Sequence, residues 1–150
     1  MQQPTFPTLQ TERLDLRPIS EEDAEFYLSL MQTDKWIKFI GDRGVHSPTQ
    51  AREYIRDRML SQWMAAGYGN YVVVRRQDGV CMGTCGIFTR PGLDSADIGF
   101  AFLPQYEKQG YAFEAASRVK QEAFTVFGLE KLLAITDPGN VDCQRLLDKL

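Results

Sequence analysis

The spacing of apolar and polar residues in the first half of the chain predicts one strand followed by two helices. Residues 13–17 alternate polar and apolar side chains, which is typical of a strand with one buried face. Residues 20–31 begin with a capping-box pattern and are predicted to be helical. Ser47 and Pro48 are typical of a helix start, and we expect that second helix to end at about residue 66, before a pair of glycines.

The second half of the chain predicts most of a sheet. A continuous apolar run, a hairpin turn at residues 78–79 and strict alternation mark its strands. Small and apolar residues between 112 and 126 recur at helical spacing and leave Glu122 facing away. The predicted elements are strands at residues 71–75, 80–88, 97–103 and 132–135, and helices at residues 112–126 and from residue 140.

This order of elements predicts a single α/β domain over residues 1–150. Its mixed sheet is antiparallel early, and a parallel crossover joins the last two strands. Residues 132–135 are apolar on both faces, as an interior strand would be, yet no strand is predicted after them. We therefore expect a chain that is truncated at its C-terminus or completed by a strand from a partner.

Composition narrows the functions to be considered. The chain has 150 residues and a net charge of -3, which argues against binding to nucleic acid or to an anionic membrane. No apolar run approaches the roughly 20 residues of a membrane span, and no signal-peptide pattern opens the chain, so we expect a cytoplasmic protein. Three cysteines are too few for a disulfide framework, and a single histidine argues against a multi-histidine metal site.

The stretch from residue 97 to residue 116 carries the clearest sign of a ligand. It predicts a strand, a short turn and a helix whose first turn contains Gly110 and Ala112. A helix N-terminus presents unbonded N–H groups and a partial positive charge, and small residues there let a phosphate approach the backbone. Gly99 and Ala101 share one face of the strand, which leaves space either for a ligand or for a covering helix.

Several motifs that occur in the same order resemble the GNAT superfamily of acetyltransferases, in particular the branch of ribosomal-protein N-terminal acetyltransferases. The resemblance spans about residues 11–150 and rests on residues 11–18, 83–86, 104–115 and 140–150. It implies a mixed, mostly antiparallel central sheet with helices on both faces and a cofactor between two splayed strands. It also implies acetyl-coenzyme A as the co-substrate, with no metal.

The resemblance also implies which residues hold the cofactor. Its pyrophosphate is expected on backbone N–H groups of residues 107–112 and its pantetheine arm along residues 100–103, while Asn140 contacts the arm, caps a helix, or does both. Glu107 stands where the family usually has Gln or Arg, and a carboxylate facing a pyrophosphate is unfavourable. Lys108 either offsets that charge or is an ordinary solvated lysine. The implied cofactor residues are Phe100, Ala101, Phe102, Leu103, Glu107, Lys108, Gln109, Gly110, Tyr111, Ala112 and Asn140.

Acetyl transfer to an amine requires an uncharged amine and a proton for the leaving thiolate. Because an α-amine with a pKa of 7.7–8.0 is about one-tenth neutral at pH 7, it needs only a weak base. Asp97 is the candidate for that base, acting through a water molecule, and the alternative is a strand-end carboxylate in solvent.

Cys143 stands where the family commonly has Ser, and its thiol is the candidate proton donor. The alternatives are a small half-buried apolar residue, or an acyl-accepting nucleophile for which the sequence offers no activating neighbour. Trp36 and Phe39 lie in the segment that borders the acceptor site in this family. They are candidates for a substrate-binding wall, and the alternative is a hydrophobic clamp on the core.

The leading interpretation is an acetyl-coenzyme A-dependent N-acetyltransferase in which the amine attacks directly within a ternary complex. Its acceptor is a primary amine, on a protein N-terminus or on a small molecule, and a homodimer is compatible with the resemblance. The alternative is a non-catalytic acyl-coenzyme A-binding or dimerising module, which the Glu107 departure, the Cys at position 143 and the expected truncation favour. A nucleotide-binding module is disfavoured because the chain has no Gly-Lys-Ser/Thr element.

Overall fold

The computed structural model describes residues 6–90 and 92–150. Six strands form one sheet, and their spatial order is their order in the chain. They are β1 (Leu9–Gln10), β2 (Leu14–Pro18), β3 (Asn70–Arg75), β4 (Val80–Phe88), β5 (Asp97–Phe102) and β6 (Leu133–Ala134). The helices are α1 (Ala24–Met31), α2 (Asp34–Phe39), α3 (Pro48–Tyr54), α4 (Ser61–Ala66), α5 (Tyr111–Thr125) and α6 (Val141–Lys149).

The sheet is mixed and mostly antiparallel, as predicted. Every neighbouring pair from β1 to β5 is antiparallel, and only β5 and β6 run parallel. The connection between those two strands contains α5, which is the crossover that a parallel pair requires. Over the described residues, none of the helices combines the length and the apolar character that a bilayer span needs.

Helices cover both faces of the sheet, which confirms the predicted α/β layers. On one face, α5 contributes the fully buried Ala115, Ala116 and Val119 to a core with β-strand residues such as Leu16. On the other face, α1, α3 and the π-helical segment Ile55–Leu60 pack over the sheet. Alternation along each strand supplies apolar side chains to both cores.

Two short elements escaped the sequence prediction, and one helix differs from it. β1 and α2 were not expected, because two or six residues are too few for periodicity to identify. The helix predicted from Ser47 to about residue 66 forms, but it is interrupted by the π-helical segment Ile55–Leu60 between α3 and α4.

Two side chains are placed differently from the periodic pattern of α5. Glu122 was expected to face away, and this prediction is wrong, because its side chain is buried and accepts a hydrogen bond from Arg118 at 2.9 Å. Val126 lies just after the last residue of α5 and is exposed. The helix therefore buries a charge by pairing it one turn away, which apolar periodicity does not reveal.

The last predicted strand is shorter than expected and lies at the edge of the described sheet. Only Leu133 and Ala134 pair with β5, and Ile135 is 60% exposed. Among the described residues the strand thus lies at the edge, as expected when no strand is predicted after it, and its side chains are not covered as those of an interior strand would be. Because β6 diverges after two residue pairs, it leaves most of β5 with one unpaired edge.

A close backbone contact between β3 and β4 gives the first testable prediction. A Cβ atom added to Gly86 would lie 2.5 Å from the carbonyl oxygen of Gly69 and 2.6 Å from the Cα of Asn70, and neither backbone atom can move cheaply. We expect Gly86→Ala to lower the free energy of unfolding by about 2 to 3 kcal/mol, measured by urea denaturation.

Gly139→Ala is the matched control for this prediction. Its added Cβ would meet the flexible Asp137 side chain at 3.2 Å and the Phe39 ring at an ordinary 3.8 Å, so the stability should change by less than about 1 kcal/mol. Equal unfolding midpoints for the two variants would show that the β3–β4 contact is not tight.

Candidate active site

A cavity of about 480 Å3 follows the unpaired edge of β5. The strand pairs with β6 only at Asp97 and Ile98, whereas on its other edge it pairs with β4 along its whole length. The Leu103 amide donates to the Met82 carbonyl at 2.9 Å, so the alternation of an antiparallel ladder turns the backbone groups of Phe100 and Phe102 toward the open edge. An extended ligand can therefore hydrogen-bond there, although Leu103 itself has its amide in the sheet.

We call the exposed mouth of this cavity, at the start of α5 and along α6, its outer end. Lys108 and Gly110 have φ angles of 61° and 84°, so the chain makes a tight turn before the helix starts at Tyr111. Tyr111, Ala112 and Phe113 line the cavity, and the amides of a first helical turn have no carbonyl partner within the helix. Their N–H groups and the helix dipole make this end suitable for an anion.

The N-terminal segment braces that turn through Arg13. The guanidinium donates to Glu114 Oε1 at 2.7 Å and to the Gln109 carbonyl at 3.1 Å, and it lies 4.3 Å from the centre of the Tyr111 ring. Partial burial raises the pKa of Glu114, but hydrogen bonds from Thr11 and Arg13 outweigh it and hold that pKa below its usual value. The brace joins residues about 100 positions apart, so no local pattern could have predicted it.

Gln109 takes part in the turn itself. Its carbonyl accepts from Arg13, and its side-chain amide donates to the Gln105 carbonyl at 3.1 Å. It is not among the residues that line the cavity, although its neighbours Lys108 and Gly110 are. The side chain of Gln109 is therefore placed to stabilise the turn.

Glu107 lines the cavity, and a cation compensates its charge. Lys35, from α2, forms an ion pair with the Glu107 carboxylate and lies 3.6 Å from Asp142 on α6. The hydrogen bond to Glu107 raises the pKa of Lys35. The carboxylate of Glu107 thus has a cationic partner that lies 72 residues away in the chain.

Three basic side chains line the outer end, and two of them were missed by the sequence analysis. Lys108, Arg145 and Lys149 are exposed there, and no carboxylate among the described residues forms an ion pair with them. Arg145 and Lys149 are four residues apart, hence neighbours on one side of α6. That spacing is the signal that could have identified them.

The start of α6 brings two predicted residues to the cavity. Asn140 caps the helix, since its Oδ1 accepts from the backbone N–H of Cys143 at 3.2 Å. Cys143 is half-buried, carries a free thiol and lines the cavity. The capping role of Asn140 is therefore confirmed, and it does not prevent a contact between its amide group and a ligand.

The buried part of the cavity, its inner end, contains Asp97. This carboxylate is 1% exposed, so the alternative of a strand-end group in solvent is wrong. Burial raises its pKa above the usual value, and Arg90, whose Nε donates to Asp97 Oδ1 at 2.9 Å, opposes that increase. A buried carboxylate with a raised pKa in a cleft is typical of a functional group.

Aromatic rings form the walls of the inner end. Trp36 is 7% exposed and packs edge-on against Tyr27, with 5.7 Å between ring centres. Phe39 also lines the cavity, and the Phe88 ring lies 3.1 Å from the position that a Cβ on Gly99 would occupy. The small residue on β5 therefore makes room for the Phe88 ring beside the cavity. Tyr27, Phe88 and Arg90 were not predicted, because they come from separate elements.

The two ends together allow a definite kind of chemistry. A helix start with nearby cations can hold an anionic group at the outer end, and the open edge of β5 can hold an extended arm. The arm would lead to a buried carboxylate among aromatic walls, where a proton can be accepted out of bulk water. Among the described residues, no three His, Cys, Asp or Glu side chains are grouped so that they could share a metal ion.

Comparisons with known proteins agree with this geometry. Residues 13–150 match the acetyltransferase (GNAT) domain family. An uncharacterized N-acetyltransferase of Bacillus subtilis (strain 168), YoaA, is 30% identical over 146 residues, which are 97% of this chain and 82% of that protein.

Solved structures give the same result at the level of the fold. An acetyltransferase from Agrobacterium tumefaciens strain C58 superposes with a TM-score of 0.82 at 26% identity, over 99% of this chain and 85% of that one. A ribosomal-protein-S5-alanine acetyltransferase from Vibrio fischeri superposes with a TM-score of 0.73 over 96% of this chain and 81% of that one. At 16% identity the second likeness concerns the fold alone.

Proposed function

The chain belongs to the acetyltransferase (GNAT) family, and on that premise we propose that it transfers an acetyl group from acetyl-coenzyme A to a primary amine. The observation that carries the proposal is the continuous cavity from an anion-binding helix start, along the open edge of β5, to the buried Asp97. The acceptor is an amine on a protein N-terminus or on a small molecule.

The residues at the outer end fit an extended, anionic co-substrate. First-turn amides of α5 and the side chains of Lys108, Arg145 and Lys149 would hold its phosphates. Backbone groups of Phe100 and Phe102 would hold the amide groups of its arm, with Asn140 facing them. Because Lys35 neutralises Glu107, that carboxylate no longer opposes a phosphate as an isolated charge would.

Asp97 is proposed to accept the proton that the amine loses. Burial raises its pKa, which brings it closer to that of the amine and improves proton transfer, while the adjacent Arg90 favours the ionised form. The amine nitrogen forms a bond to the acetyl carbon as the carbon–sulfur bond breaks. One proton leaves the nitrogen toward Asp97, directly or through water, and one is delivered to the departing sulfur.

Cys143 is the proposed donor of that second proton. It lines the cavity three residues after Asn140, and a thiol can pass a proton to a leaving thiolate with little penalty because the two groups are chemically alike. A non-catalytic acyl-coenzyme A-binding module remains the second candidate. One of its three supports, an uncompensated Glu107, is weakened by the ion pair with Lys35. A single domain, a cytoplasmic location and independence from a metal remain predictions.

The phosphate contacts generate a binding prediction. The double variant Arg145→Gln/Lys149→Gln should weaken acetyl-coenzyme A binding about tenfold, measured by titration calorimetry at low salt, because two cations are lost from the outer end. The difference from the unmodified protein should shrink as salt is added. The matched control is Arg56→Gln, since Arg56 is exposed, is paired with Asp57 and does not line the cavity. Equal affinities for the two variants would contradict the assignment.

The proton acceptor is tested by Asp97→Asn. We expect kcat/KM to fall by about 10²- to 10⁴-fold, in an assay of thiol release, while the dissociation constant of acetyl-coenzyme A changes little. With Asp97 present, kcat/KM should rise with pH through a pKa above the usual aspartate value, because the carboxylate must be ionised to accept a proton. For Asp97→Asn, kcat/KM should not show this rise with pH. An unchanged pH profile would remove Asp97 from the mechanism.

Cys143→Ala tests the proton donor separately. If the thiol protonates the leaving sulfur, kcat should fall by about tenfold or more with little change in acetyl-coenzyme A affinity, since the backbone N–H that Asn140 caps is retained. Cys81→Ala, at a half-buried thiol away from the cavity, is the control. Turnover that is equal in both variants would assign Cys143 to packing alone.

A further inference from the structure

The inner end of the cavity places one guanidinium beside one carboxylate. Arg90 donates to Asp97 through Nε, and no acceptor among the described residues takes a hydrogen bond from its two Nη groups. Both residues line the cavity. The Arg90 side chain is 42% exposed, so its free Nη groups are accessible while Asp97 lies beneath. The pair thus presents a donor fork and an acceptor oxygen side by side.

The electrostatic character of this end is not that of a site for polycations. Its one established charge contact is the ion pair of Arg90 and Asp97, with 2.9 Å between Nε and Oδ1. The carboxylate of Asp97 is therefore already matched by one guanidinium group. A polyamine brings only positive charge and N–H donors, so it would leave the Nη groups without an acceptor.

We propose that the acceptor is a zwitterion: an amine whose neighbouring carbon atom carries a carboxylate, as in a free amino acid. Its nitrogen would lie against Asp97, and its carboxylate would accept the two Nη groups of Arg90 in a bidentate arrangement. In such a ligand one carbon atom separates the amine from the carboxylate. In the protein a single hydrogen bond joins Arg90 to Asp97, so the amine can face Asp97 while the carboxylate faces Arg90. This inference rests on the proposed function and specifies the substrate of the same site.

The walls of the inner end add a second element of specificity. The Phe88 ring centre lies 5.2 Å from the Arg90 guanidinium, and the Tyr27 and Trp36 rings, which pack edge-on, line the same cavity. Pockets of this composition bind an apolar group and use a few polar groups to orient it. The structure therefore favours an amino acid with an apolar or aromatic side chain. A peptide N-terminus offers a neutral carbonyl in place of the carboxylate, and its hydrogen bond to a guanidinium is weaker.

The test compares matched acceptors in the thiol-release assay with acetyl-coenzyme A. Phenylalanine, phenylalaninamide, phenethylamine and spermidine are the probes. The wild-type protein should prefer phenylalanine to phenethylamine by about tenfold or more in kcat/KM, because only the acid can bridge to Arg90. The amide has the more easily deprotonated amine, so a preference for the acid over the amide cannot come from amine basicity.

Arg90→Met separates recognition from support of Asp97. If Arg90 binds the carboxylate, the acid-to-amine ratio of kcat/KM should fall to near one. If Arg90 only orients Asp97, both rates fall together and the ratio persists, which would overturn the proposal. Arg90→Lys keeps the positive charge but not the two parallel N–H donors, so it should give an intermediate ratio. The same variant provides the test if Arg90→Met does not fold. Arg56→Met is the control, with the wild-type ratio.

Different results would contradict the zwitterionic acceptor and the proposed acetyltransferase function. A wild-type preference for spermidine or phenethylamine would overturn the zwitterionic acceptor and leave an amine acetyltransferase standing. Binding of acetyl-coenzyme A without thiol release on any of the four amines would count against the proposed function and, with it, against this inference.

Discussion

The divergence of β6 from β5 is the constraint on which the rest of the site depends. After two paired residues the strands separate, and β5 keeps one edge whose N–H and C=O groups have no strand partner in the described sheet. Such groups are costly unless a ligand or water satisfies them. Pro138 cannot donate to a ladder, and Asn140 caps α6 immediately afterwards, so the chain turns away from β5 into a helix. The cavity is the space that this turn leaves open.

Compensated charges stabilise both ends of that open edge. Lys35 neutralises Glu107 where the anion site begins, and Arg90 neutralises the buried Asp97. In each pair one partner is exposed and the other is more buried, so neither carboxylate is left isolated and neither pair is fully desolvated. Arg13 acts similarly on Glu114, and through it the N-terminal segment holds the first turn of α5.

The sequence predicted what local chemistry determines. Gly110 and the periodicity of α5 identified the helix start that faces the cavity, and alternation along β5 placed its side chains. It could not predict α2, which is only six residues long and depends on a Thr33 cap, or Glu122, whose burial depends on Arg118. The periodicity of a sequence indicates which side chains form an apolar surface. The start of α2 and the burial of Glu122 depend instead on hydrogen bonds between polar groups.

The same distinction explains why the sequence says more about the co-substrate than about the acceptor. Backbone groups of β5 and α5 form most of the proposed co-substrate site, and they follow one another within about 20 residues, so one motif carries them. The inner end is built from side chains of α1, α2, β4 and β5 and of the chain after β4, which meet only in the folded protein. The specificity proposed for the acceptor therefore rests on the Arg90–Asp97 contact, which joins residues from two elements and is visible only in the folded protein.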